Sequence, residues 1–357
     1  MIGIYVHNRG RGHLHRVLPV TDALRDRGYD VTLLLTGPLE DTLHPVGVRV
    51  IHLPGGEDGD ECPEEPVLAA RRAAVAWIDH ARPRAFWVDS SPAMSLAARL
   101  TGIPMVSTLP PGVRVDEPHR LRVRAAQGLI AAWPPGAHEA TLARTENRVS
   151  EIGGVSRFEQ RDRQPRDRRR RPRVVHLNGS GTGGDHRFWR AVRTAVGALG
   201  VAEWTELGGP DGSWHEDPWL ELCSADVVVT GAGQSSVADA ACADVPLVVV
   251  PGRRPFGEQD ATAAALDAIP GASVMRYGDG PTAVARAVSA QVARCRDGEP
   301  AGIRTRWGVD GAASRAAEVI RATTMTTTMT TTTPPPTATP PTTTPPPTTT
   351  PSAAPLG

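Results

Sequence analysis

GAGQSSVADAACADVPLVVVP, Gly231–Pro251, follows the apolar run ADVVV (Ala225–Val229). A glycine-broken turn interrupts the two apolar runs and opens a helical pattern between them. Strand, turn, helix and second strand in this order make a parallel β-α-β unit, the building block of sheets covered by helices on both faces. One acid, Asp239, stands near the start of the helical pattern. Ser236-Val-Ala-Asp239 fits a capping box, in which the serine caps the helix and the acid reaches back. The same carboxylate would equally accept hydrogen bonds from two ribose hydroxyls. Local sequence leaves both roles open.

The same alternation extends outward in both directions. Toward the N-terminus, strand patterns at Ile2–His7, Tyr29–Leu35, Val48–Leu53, Ala85–Asp89, Ile103–Leu109 and Gln127–Trp133 alternate with helical ones. The helical patterns run from Gly12 to Arg27-Gly28, over Val67–Arg82 and over Ala93–Thr101. Past Pro172 the series restarts, with strands at Pro172–Gly179, Val201–Leu207, Asp226–Thr230, Leu247–Pro251 and Ala272–Tyr277. Helices are expected over His186–Leu199, Ala261–Leu266, Pro281–Cys295 and Gly311–Ala322. The expected fold class is α/β, with two Rossmann-like doubly wound domains and a cleft between them. Residues 1–135 form the first domain and 173–322 the second, with 136–172 as linker. The arginine-rich RFEQRDRQPRDRRRRPR (Arg157–Arg173) reads as a solvated hinge. Residues 323–357 are almost wholly Thr and Pro, a composition that buries too little apolar surface to offset its ordering entropy.

Composition excludes several functions. The 357-residue chain carries +0 net charge, which argues against nucleic acid as a partner. All 39 basic residues are arginine, so lysine chemistry is ruled out, the P-loop included. The four cysteines, Cys62, Cys223, Cys242 and Cys295, form no CxxC pair and suit a reducing, cytoplasmic compartment. MIGIYVHNRGRGH lacks the pattern of a signal peptide, and no apolar run is long enough to span a membrane.

Three glycine turns lie where a strand hands over to a helix: HNRGRGH (His7–His13), NGSGTGG (Asn178–Gly184) and TGAGQSS (Thr230–Ser236). Glycine lets backbone approach a ligand closely, and a helix N-terminus favours anions. The two in the second half therefore point to a nucleoside diphosphate, held around Asn178, Gly179, Ser180, Gly181, Gly233, Gln234, Ser235 and Ser236. The first turn matches the dinucleotide pattern GxGxxG poorly, because His15 replaces its third glycine.

Taken together, Ala225–Leu266, with its glycine turn, helix acid, Val-Pro strand and the pair Glu258-Gln259, resembles the nucleotide-sugar signature of two-domain (GT-B) glycosyltransferases. The family 28 group is the best match, with NGSGTGG where it has a diphosphate loop and GRGH where its first loop ends in histidine. The resemblance implies that Asp239 binds ribose, that Glu258 and Gln259 bind donor-sugar hydroxyls, and that backbone at Ser180, Gly181, Gly233 and Gln234 holds the pyrophosphate. It implies inverting transfer of a hexose from a nucleotide-sugar donor, UDP-linked in this group, to an acceptor hydroxyl, with no cofactor and no metal demanded. Asp239 is one methylene shorter than the glutamate usual there. His13 is the candidate base, with His15 as competitor. Asp89 would orient or replace the histidine, or else cap the next helix. An arginine-edged first domain would suit a lipid-linked or hydrophobic acceptor and peripheral contact with the inner face of a membrane. Two other readings of the scaffold are a nucleotide-sugar 2-epimerase and a catalytically inactive binding subunit.

Overall fold

A computed structural model describes residues 1–6, 11–36, 46–54, 65–143, 145, 149–163, 171–178, 185–209, 212 and 215–330, the last five as backbone only. The first sheet has seven strands: β1 (Ile2–Val6), β2 (Val31–Thr36), β3 (Arg49–Leu53), β4 (Phe86–Asp89), β5 (Met105–Thr108), β6 (Gly128–Ala131) and β7 (Val149–Glu151). Their order is β3-β2-β1-β4-β5-β6-β7, and every pairing is parallel. The second sheet holds β8 (Arg173–Leu177), β9 (Glu203–Leu207), β10 (Val227–Thr230), β11 (Leu247–Val249) and β12 (Ala272–Val274). It is also parallel, in the order β12-β11-β10-β8-β9.

Twelve helices among the described residues connect and cover these strands. In the first half they are α1 (Gly12–Arg25), α2 (Glu65–Ala81), α3 (Pro92–Leu100), α4 (Glu117–Ala125) and α5 (Glu139–Leu142). The second half has α6 (His186–Leu199), α7 (Trp219–Ser224), α8 (Gln234–Cys242), α9 (Glu258–Leu266), α10 (Pro281–Arg296), α11 (Ile303–Arg306) and α12 (Ala312–Thr330). Side chains alternate across β1: Ile2, Ile4 and Val6 pack with Val17, Val20 and Leu24 of α1, and Tyr5 packs opposite, with residues of α2 and α3. In the second sheet Val228 faces α8 while Val227 and Val229 face α6 and α10. Burial on both faces explains why these strands read as continuous apolar runs rather than alternating ones.

Five elements lie outside the pattern read from apolar periodicity: β7, α4 and the short α5, α7 and α11. β7 falls inside 136–172 and pairs with β6; three half-buried residues, Val-Ser-Glu, carry no strand signal of their own. The polar α4 buries only His119 and Arg122, although Asp116 caps it and a proline sits in its first turn, the ordinary start signal of a helix.

The chain entering the hinge is packed, while residues 164–170 of the arginine-rich stretch lie outside the described residues. Ile152, Val155, Ser156 and Phe158 are buried, and Gly153 (φ 83°) lies against the Gly308 carbonyl, where a β-carbon would collide. From the second half α12 crosses back, so that Ala312, Ala316 and Ile320 join the core over β1. It runs on through Thr330, into the Thr/Pro stretch expected to start unfolded at 323. Thr323 and Thr324 are buried, with Thr323 against Gly128 of β6, and docking offsets the low helix propensity of β-branched residues. Residues 331–357 lie outside the described set.

Candidate functional site

In each sheet the strand order reverses at one point, between β1 and β4 in the first and between β8 and β10 in the second. At such a switch point the connecting helices diverge to opposite faces and leave a crevice beyond the carboxyl ends of the strands.

Asp89 ends β4 beside Val6, the last residue of β1. It is fully buried and accepts from two residues in the first turns of α1: His13 Nδ1 at 2.7 Å and Arg16 Nη2 at 2.7 Å. His13 and Arg16 stand three apart, so the helix places them on one face. Burial alone would push the Asp89 carboxyl up, but the Arg16 guanidinium and the His13 ring outweigh it and hold it below the usual carboxylate range. An ionised carboxylate only accepts, so the proton of that contact sits on His13 Nδ1 and the basic lone pair on Nε2. Asp89 does not cap the following helix. Ser91 does, its Oγ accepting from Met94 N at 3.1 Å. Between them Ser90 is held at φ 73°, a left-handed conformation that costs energy in a non-glycine residue.

The second crevice holds the nucleotide-sugar candidates. Helix α8 begins at Gln234 with Gly233 as its cap residue and no side-chain cap. Ser236-Asp239 is therefore no capping box: Asp239 lies in the helix interior, 4% exposed. Ser156 Oγ donates to it at 2.7 Å and Arg157 Nε stands 3.4 Å away. Burial raises its carboxyl to about 6 despite both partners. A pocket beside it is lined by Arg11, Gly12, His15, Arg157, Asn178, Ser235 and Ser236 together with Asp239. The N-termini of α1 and α8 both line this pocket and touch, with Ser235 Oγ donating to Gly12 O at 2.7 Å. Gln234 also reaches across, accepting from Arg16 Nη1 at 3.3 Å and donating to Ala132 O at 3.3 Å. It thereby ties α8 to the His13–Asp89 group.

Among these groups Arg157 escapes a sequence reading, because it opens a run of exposed-looking arginines. Its Nη1 donates to Glu216 O at 2.6 Å and lies 3.1 Å from His15 Nε2. Burial first, then the charges of Arg157 and Arg11, lower His15 to about 3. His15 thus stays neutral in the pocket and is a poor competitor for the base. Gly179, Ser180 and Gly181 lie outside the described residues.

Glu258 and Gln259 open α9 and diverge. Gln259 Oε1 accepts from Gly252 N at 2.7 Å, against Gly231. Glu258 crosses the cleft to pair with Arg114 of the first domain, whose guanidinium lies over the Phe256 ring.

The architecture has clear parallels. It is similar to Acinetobacter baumannii MurG, with 17% identity, a TM-score of 0.62, and coverage of 90% of this chain and 99% of that one. The fold is GT-B. The spinosyn forosaminyltransferase SpnP matches with 15% identity and a TM-score of 0.68, over 91% of this chain and 99% of its own. Arabidopsis thaliana UGT89C1, solved with UDP-L-rhamnose, matches with 15% identity and a TM-score of 0.63, over 90% and 98%. These likenesses establish the fold. Neither protein-family models nor curated protein sequences match the chain.

Proposed function

We propose that this chain is an inverting glycosyltransferase that moves a hexose from a UDP-linked sugar to an acceptor hydroxyl. The observation that carries the reading is the His13–Asp89 contact at 2.7 Å, tied through Arg16 and Gln234 to a pocket where two helix N-termini converge. The pocket suits a diphosphate: helix dipoles and the Arg11 and Arg157 guanidinium groups supply positive potential. Asp239 accepts from ribose hydroxyls and, with Asn178, Ser235 and Ser236, sets the nucleotide. Glu258 and Gln259 receive the sugar.

In this reading His13 Nε2 takes the proton of the acceptor hydroxyl as its oxygen attacks the anomeric carbon from the face opposite the diphosphate, which inverts that centre. Asp89 holds the ring in the productive tautomer and stabilises the imidazolium that forms. The departing diphosphate is stabilised by helix N-termini and arginines, the role a divalent ion plays in other transferases. Residues 1–135 then serve the acceptor and 173–322 the donor, with the chain crossing between them in 136–172. No helix among the described residues is long and apolar enough to cross a membrane. We read the protein as cytoplasmic and its acceptor as a small or lipid-linked alcohol met from that side.

Calorimetric titration with UDP, dTDP and GDP tests the donor site. Saturable binding of UDP, weakened ten- to hundredfold in Asp239→Asn, is expected from the loss of a charged acceptor. Binding of none of the three would sink the transferase reading. Unchanged affinity with lowered thermal stability in Asp239→Asn would reduce Asp239 to a structural group.

A further inference from the structure

The two domains also meet outside the pocket beside Asp239. The loop after β5, residues 110–116, lies against the loop that leads from β11 into α9, and Phe256 stands at the centre of the contact. Its carbonyl accepts from Val113 N at 3.0 Å and lies where a β-carbon on Gly112 (φ 91°) would collide. Its ring carries the Arg114 guanidinium on its face, 4.7 Å from the centroid, and makes a T-shaped contact with the His119 ring at 4.9 Å. Phe256 itself is held at φ 62°, a left-handed conformation that a bulky residue keeps only where its surroundings over-determine it. Here the first domain holds both its backbone and its ring, so the strain is sustained from across the cleft.

The clasp ends on Glu258. Gly257 (φ 65°) caps α9, and Glu258 is the first residue of that helix. Arg114 Nη2 donates to Glu258 Oε1, while its Nη1 donates to the carbonyls of Pro111 at 2.6 Å and Pro110 at 3.3 Å. The rigid guanidinium fork thus ties the carboxylate to backbone of the first domain. The Arg114 side chain is 7% exposed and that of Glu258 40%. The arginine is enclosed, and the carboxylate can still accept from a hydroxyl. Gln259, by contrast, is held within its own domain by Gly252 N. Of the two residues assigned to the donor sugar, one is therefore set by the second domain and the other by the first.

We propose that Arg114 is a positioning residue for the donor sugar. It holds Glu258 in place from the acceptor side of the cleft, so that this half of the sugar site exists only while the two loops are clasped. The proposal rests on the transferase reading, which assigns Glu258 to the sugar, and its test separates the two. Arg114 does not line the pocket beside Asp239, so its removal should act on the sugar and spare the nucleotide. A tie that merely joined the domains would change both affinities alike, or stability alone.

UDP, UDP-glucose, UDP-galactose and UDP-N-acetylglucosamine are titrated calorimetrically into the full chain, Arg114→Ala, Glu258→Ala and the double variant. The UDP-sugar that the parent binds most tightly sets the comparison. The expected result in Arg114→Ala is a loss of about tenfold in affinity for that UDP-sugar, with UDP affinity unchanged. The double variant should bind the UDP-sugar no more weakly than Glu258→Ala, because the arginine acts through the carboxylate. Should Arg114→Ala melt far below the parent, Arg114→Lys takes its place. Lysine keeps a cation beside Glu258 but lacks the fork that also reaches Pro110 and Pro111, and the same selective loss is expected.

The proposal is overturned by equal losses for UDP and the UDP-sugar in Arg114→Ala, by no loss for either, or by a double variant weaker than Glu258→Ala. It is also overturned if Glu258→Ala binds the UDP-sugar as the parent does, or if the parent binds UDP and none of the three sugars, since the arginine would then have nothing to position. In each of these cases UDP still binds the parent and the transferase reading stands. If UDP fails to bind the parent, both readings fall together.

Discussion

The two crevices share one topology and use opposite chemistry. At the first switch point a guanidinium and an imidazole, each 2.7 Å away, compensate a buried carboxylate. At the second, the N-termini of two helices line the pocket, and the buried acid Asp239 stands with its charge disfavoured. A site that must place a proton benefits from a fixed charge network that costs nothing to reorganise. In the proposed nucleotide site, a ligand would add its hydroxyls to the Ser156 and Arg157 contacts that Asp239 already has. The contrast shows that strand order decides where ligands go, while the side chains beyond the strand ends decide what is done there.

Four measurements break or sharpen that contrast, from the largest effect to the smallest. Asp89→Ala strands the buried Arg16 charge and should cost about 3–5 kcal/mol in chemical denaturation; a cost near zero would mean that the first crevice is not a compensated network. His13→Ala, at a partly exposed ring, should leave stability and UDP affinity in place. Its rate of UDP release from the sugar donor with an accepted alcohol should fall by about a hundred- to ten-thousandfold, and a smaller loss would move the base elsewhere.

Asp239 tests the second crevice by pH. Its folded value of about 6 lies above the ordinary carboxyl value of about 3.9. The free fold is therefore favoured at low pH and loses that contribution as pH rises through 6. Donor binding should run the other way, because the ionised acid is the stronger acceptor and offers both oxygens to ribose hydroxyls, and UDP affinity should rise by up to about tenfold between pH 5 and 7. A flat profile in the parent, or the same slope in Asp239→Asn, would remove Asp239 from the nucleotide site. Finally, truncation after Ala322 removes the buried Thr323 and Thr324 and should cost about 1 kcal/mol in thermal melts. Truncation after Thr330 should cost nothing measurable.

Much of the architecture was legible in the chain, since both sheets bury two faces and their strands stand out as apolar runs between helical periods. His186–Leu199 is bounded in the sequence by Asp185 and Gly200, which cap it at either end. Legibility failed where packing overrides local preference: in α12, which runs on through the buried Thr323, set against Gly128 of β6, and in β7, a strand only by virtue of its neighbour. Both glycine turns of the second half fall between a strand and a helix as expected, but the capping-box reading of Ser236-Asp239 fails, because Gly233 has already started the helix.

What the sequence by itself determined is the set of local units: parallel β-α-β segments, glycine turns at their junctions and the residue types available for chemistry. These follow from short-range sterics and hydrophobic period, which neighbouring residues decide. Only the tertiary structure set His13 against Asp89, 76 positions apart, and Arg157 against Asp239. Those contacts depend on which strands lie side by side and on their register, and that is settled by burial over the whole sheet.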